Sequence, residues 1–255
     1  VRAYKRLFLI SARNVFAYRM SALVSWIGSG AFLIASFAIW KALLGDGSIG
    51  GYDWPSMKAY LIISWATMQL GGAGLEWRMA DRILWGEVAT DLTKPVDYQK
   101  ARFAEYLGSL TLELIAITIG VSLVAMLTGG FAAPKQPLLF FASMLLVIPL
   151  KFMFMYLACM LCFWTSNYMG VAWAKNALIM LFSGGLIPLS LLPTWLATPA
   201  AVLPFASVTA APAIVYLGQA GLEVVVVQAF WVILLWFTAR LLWRVALRAL
   251  TVHGG

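Results

Sequence analysis

Six long apolar stretches run through this chain, at residues 20–40, 57–75, 106–127, 137–164, 171–191 and 222–242. Each is close to the ~20 residues that a helix needs to cross a hydrocarbon core about 30 Å thick. Lipid offers the backbone no hydrogen-bond partner, so only helices and closed barrels span it. The runs are continuous rather than alternating, which excludes the barrel. A chain that is 63% hydrophobic with a mean hydropathy of +0.89 needs lipid rather than water around it. The expected fold is an all-α polytopic membrane protein of six transmembrane helices, one domain over residues 1–255.

The basic residues predict which way it sits. Arg2, Lys5, Arg6, Arg13 and Arg19 precede the first stretch, and Arg78, Arg82, Lys94, Lys100 and Arg102 follow the second. Lys175 is expected between the fourth and fifth stretches, and Arg240, Arg244 and Arg248 come at the end of the sixth. The alternate gaps hold only Lys41, Lys58 and Lys135. Lysine and arginine concentrate on the cytoplasmic side, so both termini are expected in the cytoplasm of a bacterial inner-membrane protein. The net charge of +8 then reflects topology, and anionic lipid headgroups account for it better than nucleic acid does.

Residues 1–19 lack the separate apolar core and cleavage site of a signal peptide. They read as an amphipathic interface helix with Leu7, Ile10, Asn14, Ala17 and Met20 near one face, the alternative being an irregular basic tail. Residues 195–217 are long enough for a seventh span. They contain Pro199, Pro204 and Pro212, with Pro188 and Pro193 just upstream, and proline breaks a helix interior. A seventh span would also carry Arg240, Arg244 and Arg248 to the outside. The expectation is an extracellular re-entrant hairpin over residues 192–221, between the fifth and sixth spans.

Little here points to catalysis. No phosphate-binding G-x-x-x-x-G-K-[ST] motif occurs, and the one histidine, His253, lies at the far C-terminus. Cys159 and Cys162 form a C-x-x-C inside an apolar stretch, where two thiols pack as small hydrophobes. No metal site is expected. Glu113 and Lys151 are the intramembrane charges, with Glu223 at the start of the sixth stretch. Charge at that depth marks a functional candidate by default. The alternatives are a hydrogen bond from Glu113 to a neighbouring helix and a Lys151 that pairs or lines a wet cleft. An ion-coupled secondary transporter would use these two residues, although no inverted repeat is visible. An intramembrane enzyme would need a convergent nucleophile or metal cluster, and none is visible.

The loop at residues 76–104 mixes both signs of charge with apolar Ile83, Leu84, Trp85, Val88 and Leu92. Gly86 breaks the pattern, and residues 87–92 are expected to form a short helix ending before Pro95. A short amphipathic helix on such a loop suits docking to a soluble partner, with Val88 and Leu92 as apolar anchors; the alternative is a segment lying on the membrane.

The run Gly86-Glu87-Val88-Ala89-Thr90-Asp91-Leu92-Thr93-Lys94-Pro95-Val96-Asp97 resembles the G-(D/E)-x-x-x-x-L-x-(R/K)-P-hydrophobic-(N/D) segment of ABC-2 type transporter permeases. Ser183-Gly184-Gly185-Leu186-Ile187-Pro188-Leu189-Ser190-Leu191-Leu192-Pro193, followed by Pro204-Phe205, is similar to a second pattern of the six-span branch. The resemblance covers the whole chain in length, span count and motif placement. It implies the membrane half of an ATP-driven exporter, with no catalytic residue and no cofactor of its own. ATP and Mg would sit on a separate ABC ATPase subunit docked at Trp85, Gly86, Glu87, Val88, Asp91, Leu92 and Pro95. A second permease protomer, the same or a different chain, would complete a substrate path. Trp65, Phe182, Pro188, Pro193, Trp195, Pro204 and Phe205 are candidates to line or gate that path. Gly28-Ser29-Gly30-Ala31 and Gly71-Gly72-Ala73-Gly74 are candidates for close helix approach.

Overall fold

The computed structural model describes residues 2–17, 19–72, 74–131 and 133–249; His253 and Ala73 lie outside them. Among the described residues the chain is helical, and an isolated bridge between Ile49 and Tyr52 is the one β-type pairing. Helix α1 (Arg2–Ala17) precedes α2 (Arg19–Leu44), α3 (Trp54–Met68), α4 (Leu75–Leu84) and α5 (Val88–Leu92). Then come α6 (Tyr98–Leu127), α7 (Pro137–Met160), α8 (Tyr168–Phe182), α9 (Thr194–Val202), α10 (Ala210–Tyr216) and α11 (Leu222–Ala246).

Four segments among the described residues are long and apolar enough to cross a membrane: Ala22–Leu44, Tyr98–Leu127, Pro137–Phe163 and Leu222–Ala246. Tyr168–Phe182 is a shorter apolar helix. Local chemistry sets several boundaries. Asp53 caps α3 by accepting from Ser56 N at 3.0 Å, and Pro55 occupies its first turn. Asp97 caps α6 by accepting from Lys100 N at 2.9 Å, so α6 starts eight residues before the expected Tyr106 (106 − 98). Burial alone would raise the Asp97 carboxyl, but this backbone bond and Arg240 Nη2 at 2.8 Å hold it below its ordinary range.

Two expected spans differ. The stretch 57–75 is not one helix: α3 stops at Met68, and α4 begins at Leu75 after an irregular passage. Glycines at 71, 72 and 74 terminate the helix, and Gly72 and Gly74 take φ of +81° and +75°. The stretch 171–191 likewise ends its helix at Phe182, followed by irregular chain and a 3-10 turn at Leu189–Leu191.

Helix α7 is the hub. Its Val147, Leu150, Phe152, Met153, Tyr156, Cys159 and Met160 are fully buried, whereas α2 and α11 leave most of their apolar side chains exposed or half-buried. In lipid an exposed leucine costs nothing, so helices associate through packing and polar links. One cluster lies around α4, α6, α7 and α11, with Tyr98 stacked on Trp243 at 4.2 Å and Phe103 edge-on to Trp236. A second gathers Trp40, Tyr52, Met57, Tyr60 and Tyr216 toward the other end.

The contacts gather α1, α4, α5, the start of α6 and the end of α11 into what we call the basic end. Tyr4 OH accepts from Asp97 N at 3.2 Å. Helix α1 lies along α6 through Ser11, whose Oγ donates to Glu105 O at 2.7 Å, and through Gly108, where a Cβ would sit 2.3 Å from Phe8 O. The buried face of α1 is therefore Ser11 and Val15, while Ile10 and Asn14 of the expected apolar face are exposed. Close backbone approach selects small residues over large apolar ones.

Candidate coupling site and the break behind it

Helix α4 buries Leu75, Met79, Ala80 and Ile83, which share one face at helical spacing. Trp85 closes it by donating its N–H to Asp81 O at 2.8 Å, and Gly86 turns the chain at φ +74°. Helix α5 follows within one residue of the expected short helix. Its Val88 and Asp91 point inward. Asp91 Oδ1 meets Lys94 Nζ at 2.7 Å and Arg82 Nη2 at 2.9 Å, while Oδ2 lies 4.0 Å from Arg102 Nη2. Arg102 also pairs with Glu105 at 2.9 Å. A carboxylate that is 3% exposed needs such partners, because an unpaired buried charge costs several kcal/mol, roughly 3–5.

Of the sequence-predicted docking residues, Trp85, Gly86, Glu87, Leu92 and Pro95 are exposed. Trp85 is 80% exposed and Leu92 44%. Val88 is 1% exposed and Ile83 also packs inside, so both serve the core and not the surface. The large apolar side chains that this loop exposes are thus fewer than the sequence pattern implies: Leu84, Trp85 and Leu92, on a loop braced from beneath by Asp91.

Behind α4 lies the break between α3 and α4, which brings the two intramembrane charges to one place. Lys151 Nζ donates to Thr67 O at 3.0 Å and Met68 O at 2.9 Å, carbonyls of the last turn of α3. Glu113 Oε2 accepts from Gly72 N at 3.1 Å. Tyr106 OH donates to Leu70 O at 3.0 Å, and Gln69 Nε2 donates to Ser29 Oγ at 2.8 Å. Irregular backbone between apolar helices persists only where its polar groups are satisfied, and these side chains satisfy it. Of the two alternatives for Glu113 and Lys151, the structure favours structural bonding. The glycine run 71–74 makes this break rather than a flat helix–helix seam. At Gly28 and Gly30 an added Cβ would meet nothing within 4 Å, so no helix among the described residues makes a close approach there.

A further link joins α4 to α8. Glu76 Oε1 accepts from Tyr168 OH and from Lys175 Nζ. Lys175 therefore lies inside α8, a helix turn and more beyond the expected inter-span gap. Cys159 and Cys162 are buried free thiols, and Cys159 Sγ approaches Glu76 O at 3.5 Å and Tyr168 OH at 3.7 Å.

The candidate path residues split into two groups. Phe205 stacks on Phe154 at 5.0 Å and on Phe182 at 6.1 Å, with Pro204 buried beside it. Ala210 N donates to Ser183 O at 2.9 Å, and Gln228 Nε2 donates to Ser207 O at 2.7 Å, so this stretch is well anchored. Trp195 and Pro193 are exposed, and Pro188 is buried. Trp65 lies against α6, where a Cβ on Gly120 would come within 2.5 Å of its ring. An apolar cavity of about 320 Å³ opens nearby between α3, α6 and α7, lined by Ile63, Ala66, Val121 and Phe140. The sequence signal for the break, three glycines in four positions beside two buried charges, was present, but its hydrogen-bonding partners were not readable from it.

Comparison with curated proteins returns no match. Residues 29–254 match the family described as ABC-2 family transporter protein, which spans α3 to α11 and most of α2. This agrees with the all-helical, apolar architecture, and the chain belongs to the ABC-2 transporter family as a membrane component of transport.

Proposed function

We propose that this chain is the permease of an ATP-driven exporter, working as a pair of protomers with a separate ABC ATPase that holds ATP and Mg. In this arrangement the basic end faces the cytoplasm of a bacterial inner membrane, with both termini there. Six spans are formed by α2, α3 with its break, α6, α7, α8 and α11. Residues 192–221 form an extracellular re-entrant hairpin. Two sets of contacts support it: Gly50 lies against Leu191 and Lys135 N donates to Tyr216 O, whereas Phe205 between them stacks deep in the bundle on Phe154.

The observation that carries the coupling role is the exposed pair Trp85 and Leu92 on a helix that a buried Asp91 ties to three basic side chains. Such a rigid, apolar-tipped loop transmits a push from a docked partner into α4. From α4 it passes to the break and, through Glu76, to α8. Closure of the ATPase dimer would then rock the spans between two arrangements and open a path between protomers near Trp65, Phe182 and Phe205. Ion coupling through Glu113 and Lys151 is less favoured, because both already bond the backbone of the break.

Pull-down of an ABC ATPase subunit co-expressed with this chain tests the coupling. Trp85→Ala and Leu92→Asp are each expected to cut recovery about tenfold or more, as loss of an apolar anchor does. Both are surface positions, so membrane insertion should be unchanged. Val88→Asp would instead disrupt packing and is uninformative about docking. Undiminished recovery with both surface variants would refute docking at this loop.

A further inference from the structure

A cleft of about 410 Å³ opens at the basic end between α1, α4 and α6. Both signs of charge line each side: Arg78, Asp81 and Arg82 come from α4, Arg102 and Glu105 from α6, and Glu87 from just beyond α4. We propose that this cleft binds the zwitterionic headgroup of an aminophospholipid, its phosphate against the arginines and its ammonium against the carboxylates. The inference requires the chain to sit in a membrane but does not rest on the exporter role.

Charge balance selects the ligand class. A simple anion would meet the three carboxylates at close range, and a simple cation would meet the three guanidinium groups. A headgroup bearing both signs can meet both kinds of charge. Two of the guanidinium groups also have unused capacity. Arg82 and Arg102 spend Nη2 on Asp91 and Glu105, yet Nε of each is buried without a hydrogen-bond partner. The Arg102 side chain is only 8% exposed, and an unpaired buried donor is costly. A phosphate oxygen is an acceptor well matched to the guanidinium fork.

Height and shape add to this. Arg102 and Glu105 lie in the first turns of α6, whose remaining length is apolar, so the cleft falls near headgroup level. Leu7, Ile10, Ser11, Asn14 and Leu75 complete its lining, and α1 also exposes Leu9 and Phe16, an apolar surface for acyl chains. No aromatic ring is among the described lining residues. A quaternary ammonium binds best on aromatic faces, whereas a primary ammonium donates hydrogen bonds to carboxylates. Phosphatidylethanolamine therefore fits better than phosphatidylcholine.

The test uses full-length protein in detergent, stripped of lipid and reloaded with phosphatidylethanolamine, phosphatidylcholine or phosphatidylglycerol of identical acyl chains. Native mass spectrometry counts the lipid retained per protomer. Phosphatidylethanolamine should be retained about tenfold better than either competitor, as two charge-assisted bonds at one end would give. Asp81→Asn combined with Glu87→Gln should lower it to the phosphatidylcholine level without reducing phosphatidylglycerol. Arg78→Gln should weaken both phosphatidylethanolamine and phosphatidylglycerol. Equal retention of the three lipids by the unaltered protein overturns the proposal, and that comparison needs no variant. So does a phosphatidylethanolamine preference that survives the double carboxylate replacement in a protein with unchanged gel-filtration behaviour. Soluble phosphoethanolamine distinguishes the source: if it binds while no lipid is selectively retained, the cleft takes a free phosphoamine and the lipid assignment fails.

Discussion

Lys58 and Lys151 solve the same problem at two places in the bundle. Lys58 Nζ donates to Thr128 O at 3.2 Å and Gly130 O at 2.6 Å, where α6 ends, just as Lys151 donates to Thr67 O and Met68 O, where α3 ends. A helix C-terminus presents open carbonyls and a partial negative charge, and an ammonium answers both. Lys151→Met would remove the ammonium donor from Met68 O and would leave Thr67 O with only backbone N–H groups such as that of Leu70 at 3.4 Å. A loss of about 2–3 kcal/mol is expected for a charged donor, read as a lower thermal unfolding midpoint in detergent. Lys151→Arg keeps donors and should lose less. Equal midpoints for Lys151→Met and the unaltered protein would show that the lysine does not support the break. Gly72 belongs to the same unit: it sits at φ +81°, and a Cβ there would lie 2.6 Å from the Tyr106 ring.

Among the elements, the short helices α9 and α10 matter most to the proposed gate. Pro199 lies within α9 and interrupts it, whereas Pro212 sits in the first turn of α10, where proline is tolerated. Helix α9 exposes Trp195 and Thr198, while α10 is almost wholly buried. An element exposed on one limb and anchored on the other can swing at the exposed limb, with Gly218 and Gly221 at its far end. A disulfide between Thr198→Cys residues of two protomers should therefore reduce export to background while leaving ATPase recovery intact, because the loop at Trp85 is untouched. Transport at the normal rate with the cross-link formed would make the hairpin a fixed structural piece. How the elements lie also explains a partial misreading of α1. Its basic, amphipathic character was legible, but the face it turns to α6 depends on Gly108, almost a hundred residues away.

For the molecule as a whole, orientation is the property that labelling can decide. Ser48, Thr90 and Thr198 are all exposed. In a Cys159→Ser/Cys162→Ser background, single cysteines at 48 and 198 should react with an impermeant thiol reagent applied to intact cells, and one at 90 should react only after lysis. Labelling of position 90 from outside would reverse the orientation proposed from the basic residues.

What the sequence by itself determined was the membrane solvent, the helical class and the position of the short helix that ends before Pro95. These follow from the hydropathy runs and from Gly86 and Pro95, which bracket that helix. Only the tertiary structure decided that Val88 and Asp91 turn inward, that residues 57–75 break, and that Glu113 and Lys151 meet at the break. The reason is physical. In water a hydrophobic side chain declares which face of a helix is buried, but in lipid both faces are apolar and that contrast vanishes. Inside and outside are then set by packing and by polar bonds between residues as far apart as Thr67 and Lys151, which no local pattern encodes.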